Sequence, residues 1–214
     1  MAKIRVLVVD DSAVVRQVLS EVLNSAHDIE VTATAADPIV ARSRLGKEWP
    51  DVIITDIEMP RMDGITFIEQ IMKERPTPMI VCSSVAGESA SVAMKALAAG
   101  AVDVIAKPKV GVKDFISESE TMLVDAVRAA CQIDLRRIAP PQPMTVEPKL
   151  SPDAMLAPGR AKPGRTDDND AIVVLGASAG GTQAIERLMR ALPADCPPIA
   201  IVQHMPEGFT RAFA

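Results

Sequence analysis

The stretch Ile4–Ser12, IRVLVVDDS, contains the pattern that decides the fold. A continuous apolar run from Ile4 to Val9 is typical of a strand that is buried on both faces of a sheet. Asp11 and Ser12 can cap the start of a helix, and the apolar residues that follow recur at the spacing of one helical face. The stretch therefore predicts a β-strand that leads directly into an α-helix.

The same alternation of short apolar runs and helical patterns continues through residue 128. We predict strands at residues 4–9, 29–34, 52–55, 79–82 and 102–106. Helical patterns follow them at residues 14–23, 38–48, 65–72, 90–98 and 112–128. Five strand–helix units with short connections predict an α/β fold, with a doubly wound, five-stranded parallel sheet covered by helices on both faces.

The region after residue 128 has a different character. Residues 140–164 contain seven of the 17 prolines and show no apolar periodicity, which predicts an extended linker. Further patterns predict a strand at 171–175, a helix at 182–192 and a strand at 199–202. Because two strands and one helix cannot bury a core of their own, we expect an incomplete second parallel α/β domain. The predicted division is a first domain at 1–128, a linker at 129–169 and a domain fragment at 170–214.

Composition excludes several classes of function. Aromatic residues make up only 2% of the chain, and residues 1–125 contain 19 acidic against 13 basic side chains, so we expect no nucleic-acid partner. No apolar run reaches the roughly 18 residues of a membrane span, so we expect no membrane insertion. The N-terminus lacks a signal-peptide pattern, which predicts a cytoplasmic protein. Cys82, Cys131 and Cys196 are widely spaced, so neither a zinc site nor a disulfide framework is predicted.

Polar side chains follow four of the predicted strands of the first domain. They are Asp10 and Asp11 after the first strand, Asp56 after the third, Ser83 after the fourth and Lys107 after the fifth. Because the carboxyl ends of parallel strands meet at one edge of a sheet, we expect these groups to converge there. Three close carboxylates repel one another unless a cation joins them, and hard oxygen ligands suit Mg²⁺. An Asp beside bound Mg²⁺ can act as a nucleophile toward a phosphoryl group.

Four motifs resemble the receiver domain of two-component response regulators. They are VVDDS at 8–12, TDIEMPRMDG at 55–64, CSS at 82–84 and AKP at 106–108. The resemblance implies that Asp56 accepts a phosphoryl group from a histidine kinase. It also implies a Mg²⁺ site, formed by Asp10, Asp11, Asp56 and the backbone carbonyl of Glu58. Ser83 and Lys107 are implied to contact the phosphate. The position three residues before the lysine, where many receivers have an aromatic residue, is Val104 here.

The C-terminal segment contains the pattern Gly176-x-Ser178-x-Gly180 between a predicted strand and helix. Three interpretations are open: a phosphate-binding loop, a glycine turn without chemistry, or a nucleophile elbow. The nucleophile interpretation needs a base, and His204 follows the neighbouring predicted strand at the same edge. The other histidine, His27, lies in a polar turn, where we expect it to be solvated.

Two motifs in this segment resemble the catalytic domain of the chemotaxis protein-glutamate methylesterases: LGASAGGT at 175–182 and QHMPEGFT at 203–210. The resemblance implies that Ser178 is a nucleophile and His204 a general base. It further implies that phosphorylation of Asp56, by a chemotaxis histidine kinase, controls hydrolysis of glutamate methyl esters and deamidation of glutamines on methyl-accepting chemoreceptors.

Because the acid of the family's triad is not in this sequence, we expect the 214-residue chain itself to lack hydrolase activity. The alternative is a stand-alone phospho-acceptor that serves as a phosphorelay or phosphate-sink module with no enzymatic output.

Overall fold

The computed structural model describes residues 2–46, 48–83, 89–107, 113–133, 135, 172–178, 180–193 and 195–205. The strands of the larger sheet are Ile4–Val9 (β1), Ile29–Ala35 (β2), Val52–Thr55 (β3), Met79–Ser83 (β4) and Asp103–Ala106 (β5). The helices between and after them are Ala13–Ser25 (α1), Pro38–Leu45 (α2), Gly64–Glu74 (α3), Ser89–Ala98 (α4) and Lys113–Cys131 (α5). All pairings are parallel and the strand order is β2-β1-β3-β4-β5, which confirms the predicted doubly wound sheet.

Short polar side chains determine where three of these helices begin. The hydroxyl of Ser12 accepts a hydrogen bond from an amide in the first turn of α1, Asp37 caps α2 and Asp63 caps α3. Each cap satisfies backbone N–H groups that have no partner within the helix. Pro38 at the start of α2 needs no such partner, because proline has no N–H group.

Aliphatic side chains form a core on each face of the sheet. Successive residues of β1 point to opposite faces, so that Leu7 and Val9 pack with Phe67 and Ile68 while Val6 and Val8 pack with Leu19 and Leu23. Apart from Phe67, Met79 and Cys82, the buried residues of the two layers are aliphatic. The two layers fix the strands in register, and the carboxyl ends of β1, β3, β4 and β5 are thereby brought to one edge.

Several element ends differ from the sequence prediction. Helix α2 ends at Leu45, before the predicted residue 48, with Gly46 as its C-cap. Helix α5 continues to Cys131, past the predicted domain boundary at residue 128, because Val127 and Ala130 remain buried against the sheet. Residues 136–170, most of the predicted linker, lie outside the described residues, and the division into domains stays a prediction.

A second, two-stranded parallel sheet lies in the C-terminal segment. It consists of Val173–Ala177 (β6) and Ile199–Gln203 (β7), connected through the helix Gly181–Ala191 (α6). The amide of Gly180 donates a hydrogen bond to the carbonyl of Val102 at 2.9 Å, which joins this sheet to the start of β5. Large apolar side chains remain exposed, with Val174 at 73% and Val202 at 67%, as expected for an incomplete domain.

Among the described residues, no helix is both long enough and apolar enough to cross a lipid bilayer.

Candidate functional site

Three carboxylates lie together at the carboxyl edge of the larger sheet. Asp10 follows β1 and Asp56 follows β3, and these strands are direct neighbours with Val9 paired to Thr55. One carboxylate oxygen from each of Asp10, Asp11 and Asp56 lies within 4.8 Å of the others. Asp10 and Asp56 are buried, whereas Asp11 is exposed. The predicted convergence of the acidic trio is therefore present.

The amine of Lys107 lies inside this cluster. Its Nζ is 2.7 Å from Oδ2 of Asp56 and 2.9 Å from Oδ2 of Asp10. The lysine is held there by its backbone, because its N–H group donates to the carbonyl of Ser83 at 2.9 Å and continues the pairing of β5 with β4. The ammonium offsets one of the three negative charges.

Burial and charge shift the pKa values of both partners. Burial raises the pKa of Asp56 above its ordinary value; the hydrogen bond and charge of Lys107 oppose this rise, and the charge of Asp10 adds to it. Burial by itself lowers the pKa of Lys107, but its interactions with the carboxylates of Asp56 and Asp10 outweigh that effect and raise the pKa overall. The amine is therefore a permanent cation in this cluster at neutral pH.

The donor set fits a hard divalent cation. Oδ1 of Asp10 accepts a hydrogen bond from Ser12 N at 2.8 Å, and Oδ1 of Asp56 accepts one from Ile57 N at 2.7 Å. Oδ2 of Asp10, by contrast, is buried and accepts no hydrogen bond, and its contact with the amine of Lys107 is an ion pair at 2.9 Å. A buried oxygen without a hydrogen bond, in a cluster with excess negative charge, matches the predicted metal site.

The remaining predicted residues of the first domain border this cluster. Ser83 is the buried last residue of β4, next to the lysine in the sheet. The side chain of Glu58 is exposed, so its contribution to a metal would come from its backbone carbonyl, as the resemblance implies. Val104 is buried in the core, and its position offers no aromatic ring. The roles of these residues stay predictions.

The loop from Asp56 to Gly64 is closed tightly on itself. The amide of Gly64 donates to the carbonyl of Ile57 at 2.8 Å. A Cβ atom on Gly64 would lie 2.2 Å from the carbonyl oxygen of Asp56 and 2.7 Å from Cα of Ile57, so only glycine fits there. Sequence reasoning did not single out Arg61 of this loop, whose side chain forms an ion pair with the buried Asp37.

The second predicted constellation lies where β6 and β7 end. Ala177 pairs with Gln203, so Ser178 and His204 follow paired residues at one edge of the small sheet. The amide of His204 donates to the carbonyl of Ala177 at 2.9 Å, and the side-chain amide of Gln203 donates to the carbonyl of Ser178 at 3.0 Å. Both predicted residues are exposed and line one cavity of about 460 Å³, together with Asp103 of β5.

Asp103 is a residue that sequence reasoning did not connect with this cavity. Burial raises the pKa of its carboxyl group to about 6, although the hydrogen bond from Val104 N and the charge of His204 act in the opposite direction. Nothing in the local pattern around residue 103 signals this neighbour, because the contact depends on how the small sheet lies against β5.

Comparison with known proteins identifies the first of these arrangements. The family model of the response regulator receiver domain matches residues 6–116. The chain belongs to the response regulator receiver family. Its receiver is similar to the crystal structure of the response regulator domain of Thermotoga maritima CheB, with 40% sequence identity and a TM-score of 0.55, over 62% of this chain and 98% of that one. It is also similar to the receiver domain of the putative response regulator NarL from Mycobacterium tuberculosis, with 25% identity and a TM-score of 0.54, over 63% and 100% of the two chains.

The C-terminal segment also has relatives. The family model of the CheB methylesterase matches residues 173–214. A protein-glutamate methylesterase/protein-glutamine glutaminase of Geobacter metallireducens is 52% identical over 217 residues, which cover 100% of this chain and 60% of the relative. One of Xanthomonas oryzae is 53% identical over 209 residues, or 96% and 59%. The chain thus spans about three fifths of the length of these relatives.

Proposed function

We propose that the receiver domain accepts a phosphoryl group on Asp56 from the histidine kinase of a chemotaxis pathway. The observation that carries this proposal is the position of the Asp56 carboxylate. One oxygen is oriented by the amide of Ile57 and the other by the amine of Lys107, beside the two further carboxylates Asp10 and Asp11. A buried, oriented carboxylate with an adjacent cation is the arrangement that phosphoryl transfer requires.

Each group of the site has a distinct part in this transfer. A carboxylate oxygen of Asp56 forms a bond to phosphorus as the bond from phosphorus to the donor breaks. Lys107 then binds an oxygen of the phosphoryl group, with the hydroxyl of Ser83 as a second donor. Mg²⁺ held by Asp10, Asp11, Asp56 and the carbonyl of Glu58 would neutralise the carboxylates and the phosphoryl oxygens.

For the whole protein we propose an output of acyl transfer: hydrolysis of glutamate methyl esters, and deamidation of glutamines, on methyl-accepting chemoreceptors. Ser178 would be the nucleophile and His204 the general base. The names of the relatives, the strand–turn–helix setting of Gly176-x-Ser178-x-Gly180, and the cavity shared by the two residues support this assignment. The protein would act in the cytoplasm, where the kinase and the receptors' methylated segments meet it.

The alternative of a phosphate sink without enzymatic output is less well supported. The relatives match this chain across 96–100% of its length, and the match therefore includes the segment with Ser178 and His204. For the 214-residue chain by itself we nevertheless propose that hydrolysis is absent, because the two strands described for this segment, β6 and β7, leave large apolar side chains exposed.

Phosphorylation can be tested directly on this chain. Acetyl phosphate with Mg²⁺ should phosphorylate the parent protein to near completion, as intact-mass spectrometry would show. Asp56→Ala should remain unmodified, and so should the parent in EDTA. Equal modification of the parent and of Asp56→Ala would contradict the proposal.

The esterase proposal needs a longer chain. Methanol release from methylated receptor should be rapid for a chain extended to the relatives' length, and faster after phosphorylation. It should be lost in Ser178→Ala of that chain and absent from the 214-residue chain. Methanol release that survives Ser178→Ala would contradict the assigned nucleophile.

A further inference from the structure

Asp37 is a buried carboxylate outside the acidic trio. It is fully buried, with 0% of its surface exposed, at the N-terminus of α2. Its Oδ1 accepts hydrogen bonds from Ile39 N at 2.8 Å and Val40 N at 2.9 Å, and its Oδ2 forms an ion pair with the guanidinium of Arg61. A buried carboxylate is tolerated only when it is paired, so Arg61 is an integral partner of this cap.

Arg61 has an unusual backbone conformation. Its φ of 73° makes it the one non-glycine residue with positive φ among the residues that the structure describes. This region is unfavourable for a residue with a long side chain, and such residues cluster at functional sites, where the surrounding structure holds them in place. The ion pair with Asp37, 24 positions earlier in the chain, is the side-chain contact that can hold it.

Backbone contacts connect the loop that contains Arg61 to Asp56 and Ile57. Met62 N donates to the carbonyl of Pro60 at 2.9 Å, and Gly64 N donates to that of Ile57 at 2.8 Å. Gly64 is also in close backbone contact with Asp56. A displacement of Arg61 therefore moves the backbone that carries Asp56 and the carbonyl of Glu58.

We propose that the ion pair between Asp37 and Arg61 positions the loop after β3, so that Asp56 and the carbonyl of Glu58 face the other carboxylates. Asp37 and Arg61 are positioning residues that touch neither the metal nor the phosphoryl group. The inference rests on the proposed function, because it assigns this pair a role in metal binding and phosphorylation rather than in helix stability alone.

Two substitutions separate the ion pair from its surroundings. Asp37→Asn keeps a side chain that caps helices well but removes the charge. Arg61→Asn removes the guanidinium, and Asn tolerates positive φ, so the backbone penalty does not increase. Arg42→Asn is the matched control, since it breaks an exposed ion pair with Glu74 elsewhere on α2.

The first readout is magnesium affinity, measured by NMR titration. Loss of a residue that orients metal ligands commonly weakens binding 10- to 100-fold, so we expect each single variant to bind Mg²⁺ about tenfold more weakly. The double variant should be no weaker than the weaker single variant, because both lose the same contact. Saturating Mg²⁺ should restore most of the rate of phosphorylation by acetyl phosphate, and Arg42→Asn should match the parent.

The second readout is amide hydrogen exchange of residues 57–63 without metal, which should be faster in both variants than in the control. Unchanged Mg²⁺ affinity together with unchanged exchange, even with a lower melting temperature, would overturn the inference and leave the pair a purely structural role. If the parent neither binds Mg²⁺ nor becomes phosphorylated, the proposed function fails, whereas hydrogen exchange still decides whether the pair holds the loop.

Discussion

Replacement of Gly64 by alanine should destabilise the receiver and misplace its acceptor. The new Cβ would lie 2.2 Å from the carbonyl oxygen of Asp56, where ordinary contact begins at 3.4 Å, so the two segments must separate by about 1.2 Å. Both conflicting atoms of the neighbouring segment belong to backbone, which cannot rotate away as a side chain can.

The cost of this conflict can be bounded. Overpacking in a dense interior typically costs 1–3 kcal/mol, and we expect about 2–3 kcal/mol here because the backbone has to move. For a domain of this size roughly 4 °C of melting temperature corresponds to 1 kcal/mol, so the melting temperature should fall by about 8–12 °C. A displacement near 1 Å at a reacting group can also reduce a rate by about 100-fold.

The assay combines thermal unfolding in EDTA, followed by circular dichroism, with the rate of phosphorylation by acetyl phosphate. Gly46→Ala is the matched control, because its Cβ would meet its nearest neighbours at 3.7 and 3.9 Å and its φ of −62° suits alanine. We expect the free energy of unfolding of this control to be equal to that of the parent or higher by up to about 1 kcal/mol. If Gly64→Ala had the melting temperature and the phosphorylation rate of the parent, the close contact of residue 64 with the backbone of Asp56 and Ile57 would be refuted.

Three further predictions concern charge and reactivity. Asp103→Asn should stabilise the chain above pH 6. The pKa of Asp103 is about 6 in the folded state and 3.8 ordinarily, so the parent loses stability as the pH rises from about 4 to 6. Urea unfolding measured at several pH values should show this loss in the parent and not in the variant. In Arg128→Gln the free energy of unfolding should depend less on pH between about 4 and 2. The hydrogen bond from Arg128 lowers the pKa of Asp28 to about 2, and the parent loses the corresponding stability as the pH falls through this range. The same pH dependence in parent and variant would count against the ion pair. A thiol reagent should modify the exposed Cys131 in the folded chain and leave the buried Cys82 intact, by peptide mass spectrometry; rapid labelling of Cys82 would contradict its burial.

The sheet and the acidic cluster could be predicted because each depends on a local pattern and one topological rule. The apolar run before Asp10 identifies a buried strand, and parallel strands bring their carboxyl ends together. The same rule placed Ser178 and His204 at one edge of the small sheet, where the structure has them. In both sheets, the pairing of the strands brings these residues to one edge, although they are far apart in the sequence.

Other features could not be predicted, because they depend on three-dimensional contacts between distant segments. Asp37 reads as a helix cap in the sequence, and its ion pair with Arg61 exists only because the loop after β3 turns toward α2. Asp103 lies next to His204 only because the small sheet lies against β5. The continuation of α5 to Cys131 reflects burial of its last turn, which local propensity does not signal.

The most direct test is to locate the modified residue after phosphorylation of the parent chain. Borohydride reduction of the acyl phosphate, followed by peptide mass spectrometry, converts the phosphorylated aspartate into homoserine and identifies its position. We expect homoserine at residue 56 alone, and only in reactions that contain a divalent cation. Homoserine at Asp10 or Asp11, or equal conversion of Asp56 in EDTA, would contradict it.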